Sequence, residues 1–190
     1  MQEIIMANMH NNPLFLVAQL VGFVGMIIYF FSFQTNKKNR ILILVMLSSA
    51  VWGVHYLLLG AFTGASLNFI EVVRNAVFSR GEKLKRPLVW AILFSALFAL
   101  TGFFTWIGIL GLGTTVVSIL VTFAFCFGNT RVIRICATIS AITWLMYNAS
   151  ELSVAGTITE GFALLSLMIA FWRFDIRKKP QVKEKNDENQ

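Results

Sequence analysis

The chain has 190 residues, of which 57% are hydrophobic and only 13% charged, and its net charge is +7. Its mean hydropathy is +0.72, and a soluble domain carries roughly 25% charged residues. So little polar surface excludes a water-soluble globule. The basic residues stand in short clusters between apolar runs and not along one stripe, which indicates membrane topology and no nucleic-acid partner.

Seven apolar runs of 17 to 22 residues follow one another along the chain. Runs of about this length cross the hydrocarbon core of a bilayer as α-helices. The predicted helices are Leu14–Phe33, Ile41–Leu59, Phe62–Phe78, Leu88–Phe104, Trp106–Phe127, Val132–Asn148 and Val154–Trp172. The links GNTR and ASELS are predicted to be turns on either side of the sixth helix. The sequence therefore predicts an all-α membrane protein with seven transmembrane helices.

The basic residues predict the orientation of these helices. All of the 16 Lys and Arg residues except Arg74 lie in the links after the first, third and fifth helices or in the C-terminal tail. By the positive-inside rule, those links and the tail are cytoplasmic. Seven spans then place the N-terminus outside and the C-terminus in the cytoplasm of a multi-pass protein in the plasma membrane.

The sequence also contains a weak internal repeat. At an offset of 92 residues, Ser48, Trp52, Gly64 and Asn68 align with Ser140, Trp144, Gly156 and Glu160. At an offset of 91, Gly22 and Arg40 align with Gly113 and Arg131. Because both halves begin on the same side, the repeat is parallel, with its axis along the membrane normal.

The repeat predicts a 3+1+3 organisation of the chain. Two parallel triple-helix bundles, at residues 14–79 and 105–173, are joined by a cytoplasmic loop and linker helix at residues 80–104. Residues 1–13 form an extracytoplasmic tail, and residues 174–190 form a cytoplasmic tail that is predicted to be disordered because it is charged and poor in apolar residues.

This organisation resembles that of the SWEET and PQ-loop transporter superfamily, which also includes the KDEL receptors. In SWEETs each half contributes a Trp and an Asn to a central substrate pocket, at the spacing seen between Trp52 and Asn68. In the second half of this chain Trp144 matches, whereas Glu160 stands at the Asn position. The resemblance implies a substrate pocket at these four residues.

A closer resemblance is to the YgjV family of bacterial inner-membrane proteins. It is carried by the segments GFVGMIIYFFSFQ (22–34), WGVHYLLLGAFTGASLN (52–68) and RNAVF (74–78), and it covers roughly residues 14–173. It implies the bacterial inner membrane and assigns no activity.

One departure from PQ-loop proteins concerns the prolines that act as hinges within their helices. Phe33 stands before Gln34 in place of Pro, and Pro13, Pro87 and Pro180 all lie at helix ends.

Three charged residues lie within predicted spans, where each costs about 2.5 to 3.5 kcal/mol on insertion scales. Glu71 and Arg74 are three residues apart on the third helix, so they form either a structural ion pair or part of a coupling site. Glu160 has no basic neighbour on its own helix. It is therefore protonated or paired across helices with Arg74 or His55, and it serves proton coupling, cation recognition or plain hydrogen bonding.

The Trp residues share helix faces with polar side chains, and this predicts a pocket. Trp52 and Trp144 offer flat apolar surfaces, and Asn68, Glu160, His55, Tyr147 and Asn148 offer hydrogen bonds. The alternative is interhelical packing, in which Gly and Ser permit close approach. Cys126 and Cys136 are predicted to be packing residues and not a disulfide or metal site.

These patterns predict a transporter of a small polar, sugar-like solute that works by alternating access around the central pocket. The alternative is a non-transporting receptor or cargo-binding protein on the same fold. No sequence motif of an enzyme occurs, so we expect no catalytic residues, no cofactor and no metal. The expected partners are the lipid bilayer and the solute, and association into a homo-oligomer is left open.

Overall fold

The computed structural model describes residues 13–32, 38–105, 108–127 and 130–172. Within these ranges the chain forms seven α-helices, one short 3₁₀ helix at Gly81–Lys83 and no strand. The helices are α1 (Pro13–Ser32), α2 (Lys38–Leu59), α3 (Phe62–Phe78), α4 (Pro87–Phe104), α5 (Ile109–Phe127), α6 (Thr130–Ser150) and α7 (Val154–Phe171). The all-helical prediction is confirmed. The predicted N-terminal and C-terminal tails lie outside the described residues, apart from Pro13.

The predicted helix ends differ from the observed ones by a few residues. α1 and α4 each begin at a proline, one residue earlier than predicted, because proline fits the first turn of a helix. Helix α6 is longer than predicted at both ends, so Thr130 and Ser150 are helical and not in turns. Hydropathy marks the part of a helix within the hydrocarbon, and the backbone hydrogen bonds continue beyond it.

Six of the seven helices are long and apolar enough to cross a membrane, counting only the part of the chain that the structure describes. The exception is α3, which has 17 residues and carries Asn68, Glu71, Arg74 and Asn75. Helix α3 is also the one whose apolar and polar faces are best separated, so its polar residues are directed to one side.

The distribution of large and small side chains is the reverse of that in a soluble helical protein. In α1, the buried face is made of small or polar residues: Ala18, Gln19, Gly22, Gly25 and Ser32. The outer face carries exposed Leu20, Val24, Ile27 and Phe31. Small residues permit close approach between helices inside a bilayer, and large apolar residues face the lipid.

Six helices form a closed ring. Each helix in the order α1, α2, α3, α5, α6 and α7 packs against the next, and α7 packs against α1. Exchanging α1, α2 and α3 with α5, α6 and α7 leaves this order of neighbours unchanged. Helix α4 packs on α3 and α5 through Ala91, Phe94, Phe98 and Gly102.

The turns after α2 and α6 have the same hydrogen-bonded conformation. In the first, Gly60 has a φ of 76°, and the Ala61 N–H donates to the Tyr56 carbonyl at 2.9 Å. In the second, Leu152 has a φ of 55°, and the Ser153 N–H donates to the Asn148 carbonyl at 2.9 Å. Both are Schellman motifs. Their residues correspond at an offset of 92, the offset of the sequence repeat.

Candidate functional site

A cavity of about 150 Å³ lies inside the ring. All six ring helices contribute to its lining, and α4 contributes none. Near the N-terminal ends of α2 and α6 it is bounded by Ile41 and Ile133, and near the C-terminal ends of α1 and α5 by Tyr29 and Phe125. The lining therefore extends toward the end of the bundle at which the basic links lie.

Most of the predicted pocket residues line this one cavity. Trp52, Asn68, Trp144, Glu160 and Asn148 are among its lining residues, and so are Glu71 and Arg74. His55 and Tyr147, which the sequence analysis also placed in the pocket, are not. They are buried next to it and make hydrogen bonds elsewhere, as described below.

Three aromatic rings from the two halves form one wall of the cavity. Tyr56 lies between Trp52 and Trp144, with ring centroids 6.0 and 5.8 Å away and interplanar angles of 35° and 31°. Each tryptophan is 8% exposed. Because tilted and offset rings attract one another, the ring of Tyr56 helps to bind α2 to α6.

Glu71 and Arg74 form an ion pair on α3, and Arg74 also bonds to α5. Arg74 Nη2 lies 3.3 Å from Glu71 Oε1, and the Arg74 side chain is 2% exposed. Arg74 Nη1 donates to the Ser118 carbonyl at 3.3 Å and to Thr122 Oγ1 at 3.2 Å. The guanidinium also lies over the rings of Phe98 and Phe125, at 5.5 and 5.2 Å from their centroids. The charge of Arg74 is therefore compensated by groups of the protein itself.

The Glu71 carboxylate is contacted by α2 and α5, the two ring helices next to α3. It accepts a hydrogen bond from the Ser49 hydroxyl of α2 at 3.3 Å, and the Ser118 hydroxyl of α5 lies 3.5 Å from its other oxygen. The Glu71 carboxylate is thus bound to three helices and still partly exposed to the cavity.

Glu160 is in a different position. Within the described ranges it has no hydrogen bond and no ion pair, although it lines the cavity. The predicted partners are occupied elsewhere. Arg74 pairs with Glu71, and the ring of His55 bonds to Ala18 and Ser153. The carboxyl group of Glu160 is therefore free to meet a ligand or a proton.

Hydrogen bonds between the halves close the end of the cavity opposite the basic links. The Tyr56 hydroxyl donates to Asn148 Oδ1 at 2.6 Å, between two residues that correspond at the repeat offset of 92. The Gly64 N–H, in the first turn of α3, donates to the Tyr147 hydroxyl at 3.0 Å. We call these contacts, with those of His55 below, the outer seal, because the orientation predicted from the sequence places this end outside.

His55 makes a similar contact to Ser153, the N-cap residue of α7. Its Nδ1 lies 2.6 Å from the Ala18 carbonyl, which only accepts, so Nδ1 carries the proton. Its Nε2 lies 2.8 Å from the Ser153 hydroxyl. Since His55 and Tyr147 correspond at the repeat offset, each reaches from the second helix of one half to the third helix of the other.

Among the residues that sequence reasoning missed are Tyr56, which lines the cavity, and Gln19, which lies outside it. The buried Gln19 of α1 accepts the Ala155 N–H at 3.0 Å with its Oε1, and so binds α1 to α7. Tyr56 stands 92 residues before Asn148, so the repeat could have indicated that these two polar residues meet on the axis. No pattern in α1 singles out Gln19.

The fit of Gly156 against Asn148 leads to a first prediction. A Cβ at Gly156 would overlap the side chains of Asn148 and Ser153, whereas one at Gly161 of the same helix would meet nothing within 4 Å. We expect Gly156→Ala to lower the stability by about 1–3 kcal/mol through overpacking. Gly161→Ala should leave it unchanged or raise it by up to about 1 kcal/mol. Thermal unfolding in detergent measures both, and equal melting temperatures would contradict the packing described.

The fold and the cavity define a class: an integral membrane protein whose helices enclose a polar, aromatic-lined chamber. Comparison with known sequences gives the family. The sequence model of the Imp-YgjV family, described as a bacterial inner membrane protein, matches residues 16–178. The chain therefore belongs to this family and is a protein of the bacterial inner membrane, so the predicted family and location are confirmed.

A curated relative agrees with this assignment. The chain is 28% identical over 164 residues to "Inner membrane protein YgjV" of Escherichia coli K12, which covers 85% of this chain and 87% of the relative. No solved structure matches the chain. The likeness to SWEET and PQ-loop proteins stays a prediction.

Proposed function

We propose that the protein transports a small polar solute across the inner membrane by alternating access around the central cavity. The observation that carries the proposal is the joint construction of cavity and seal. All six ring helices line the cavity, and one of the bonds that close it at one end, from Tyr56 to Asn148, joins residues that correspond at the repeat offset. Such a seal opens when the halves rock apart. No catalytic step is part of the proposal.

In this proposal the two halves that rock apart are the triple-helix bundles at residues 14–79 and 105–173, joined by residues 80–104. Three features support them: the sequence repeat, the order of neighbours in the ring and the matching turns after α2 and α6. In this arrangement α3 also crosses the membrane and brings the number of spans from six to seven. Its polar face is enclosed by the ring, and the pairing of Glu71 with Arg74 removes much of the cost of burying either charge.

The orientation in the proposal follows from the basic links, with the N-terminus outside and the C-terminus in the cytoplasm. The outer seal then faces the periplasm, and the cavity extends toward the cytoplasm. In this proposal the structure is the state that is closed to the outside. A transporter must also reach a state in which the outer seal is open, whereas a receptor with one persistent pocket need not.

Opening of the outer seal can be tested with Tyr56→Phe, which keeps the ring and removes the bond to Asn148. A cysteine replaces Ser140 in the cavity lining, and serines replace the two free thiols, Cys126 and Cys136. Losing a bond of about 0.5–1.5 kcal/mol shifts the closed–open equilibrium by about 2- to 12-fold. We therefore expect a membrane-impermeant thiol reagent, added outside, to label position 140 faster by about that factor.

Three controls accompany the labelling. Tyr29→Phe makes the same chemical change in the cavity lining near the C-terminal end of α1 and should leave external labelling unchanged. Cysteines at the exposed positions Phe62 and Lys83 establish the two sides of the membrane. External labelling of position 83 would refute the orientation. A cavity cysteine that reacts only from the cytoplasm in every variant would favour the receptor alternative.

A further inference from the structure

The charges that line the cavity do not balance. Glu71, Arg74 and Glu160 are its charged groups within the described ranges. Arg74 is paired with Glu71, so Glu160 has no countercharge within the cavity and is protonated unless a ligand supplies one. The cavity offers no further cationic side chain among its lining residues. An anionic or neutral ligand would leave Glu160 as the neutral acid, whereas a cation supplies the missing countercharge and stabilises the carboxylate.

The aromatic wall adds a second preference for positive charge. The faces of aromatic rings carry partial negative charge, and rings of Trp and Tyr attract ammonium groups within about 6 Å of their centroids. Trp52, Tyr56 and Trp144 form one continuous wall, and Glu160 lines the same cavity. Rings together with a carboxylate are the usual surroundings of a bound organic ammonium ion.

The volume limits the size of the ligand. A cavity of about 150 Å³ holds a molecule of roughly the size of benzene, which is smaller than a hexose. Trimethylammonium and tetramethylammonium groups fit this limit.

We propose that the central cavity binds a small organic monocation, held by the Glu160 carboxylate and the faces of Trp52, Tyr56 and Trp144. This inference rests on the proposed function, of which it names the solute class. The Glu71–Arg74 pair contributes no net charge to recognition. Its role is to keep the neighbouring part of the wall neutral, so that Glu160 determines the sign of the ligand.

Binding by the purified full-length protein in detergent tests the inference. The probes are choline and tetramethylammonium, with 3,3-dimethylbutan-1-ol as the neutral molecule of the same shape as choline and xylose as a neutral polyol. Calorimetry and quenching of tryptophan fluorescence report binding. We expect both cations to bind, and choline to bind at least tenfold more tightly than its neutral counterpart.

Two variants separate charge recognition from folding. Glu160→Gln should weaken choline binding at least tenfold and leave the affinity for the neutral counterpart unchanged. Glu151→Gln, the same replacement at a carboxyl in the turn after α6 that does not line the cavity, should leave both affinities unchanged. Equal affinity for choline and its neutral counterpart, or full choline affinity in Glu160→Gln, overturns the inference.

The remaining outcomes distinguish the inference from the proposed function. Binding of xylose without choline would overturn the cation inference and keep a solute transporter. Binding of no probe would also overturn the cation inference, and the labelling of position 140 would then decide the proposed function by itself, since that experiment requires no ligand.

Discussion

Replacing Arg74 with alanine is expected to lower the stability of the protein by about 3–5 kcal/mol. The reason is that the substitution leaves the Glu71 carboxylate buried among α2, α3 and α5 without its countercharge. It also removes the donors to the Ser118 carbonyl and to Thr122. Thermal unfolding in detergent, followed by circular dichroism, measures the loss.

Two comparisons make this result specific to the ion pair. Arg80→Ala removes an exposed guanidinium just beyond the same helix and should change the stability by less than about 0.5 kcal/mol. The double variant Arg74→Met with Glu71→Gln should lose less than Arg74→Met alone, because it leaves no unpaired charge in the bundle. An Arg74→Ala protein as stable as Arg80→Ala would show that the pair does not hold α3 to α5.

The second prediction compares the same replacement at the two carboxyls of the cavity. Glu71→Gln should cost about 3–5 kcal/mol, because it leaves Arg74 buried without a countercharge. Glu160→Gln removes no hydrogen bond and no ion pair, so its stability should lie within about 0.5 kcal/mol of wild type or above it. Melting temperatures measured side by side in the same detergent test both.

This contrast separates a structural carboxyl from a functional one. A charged group that costs stability and has no partner in the protein is a candidate for a functional role. If Glu160→Gln were as damaging as Glu71→Gln, Glu160 would have a structural role and the cation site would lose its central residue. A stable Glu160→Gln protein without choline affinity would support the site.

Much of the architecture could be predicted from the sequence, because a bilayer constrains a chain strongly. Apolar runs of membrane-spanning length located all seven helices, and six of them meet the criteria for a span. The offset of 92 residues indicated which side chains correspond. Five of the seven predicted substrate-binding residues, Trp52, Asn68, Trp144, Asn148 and Glu160, line one cavity.

The tertiary structure decided which neighbours these side chains meet. Helical periodicity places His55 and Tyr147 on the faces of Trp52 and Trp144, but one turn nearer the loops. There, His55 bonds to Ser153 at the start of α7, and Tyr147 accepts a bond from Gly64 in the first turn of α3. The ring of Tyr56 lies between those of Trp52 and Trp144, and helical periodicity alone does not show this.

The pairing of charges also depended on the assembled ring. Arg74 could pair with Glu71 on its own helix or with Glu160 on α7, and the sequence leaves both open. The structure pairs it with Glu71, three residues away, and surrounds it with Ser118, Thr122 and Phe125 of α5. A sequence determines which face of a helix a residue occupies, and only the packing of the helices determines what that face meets.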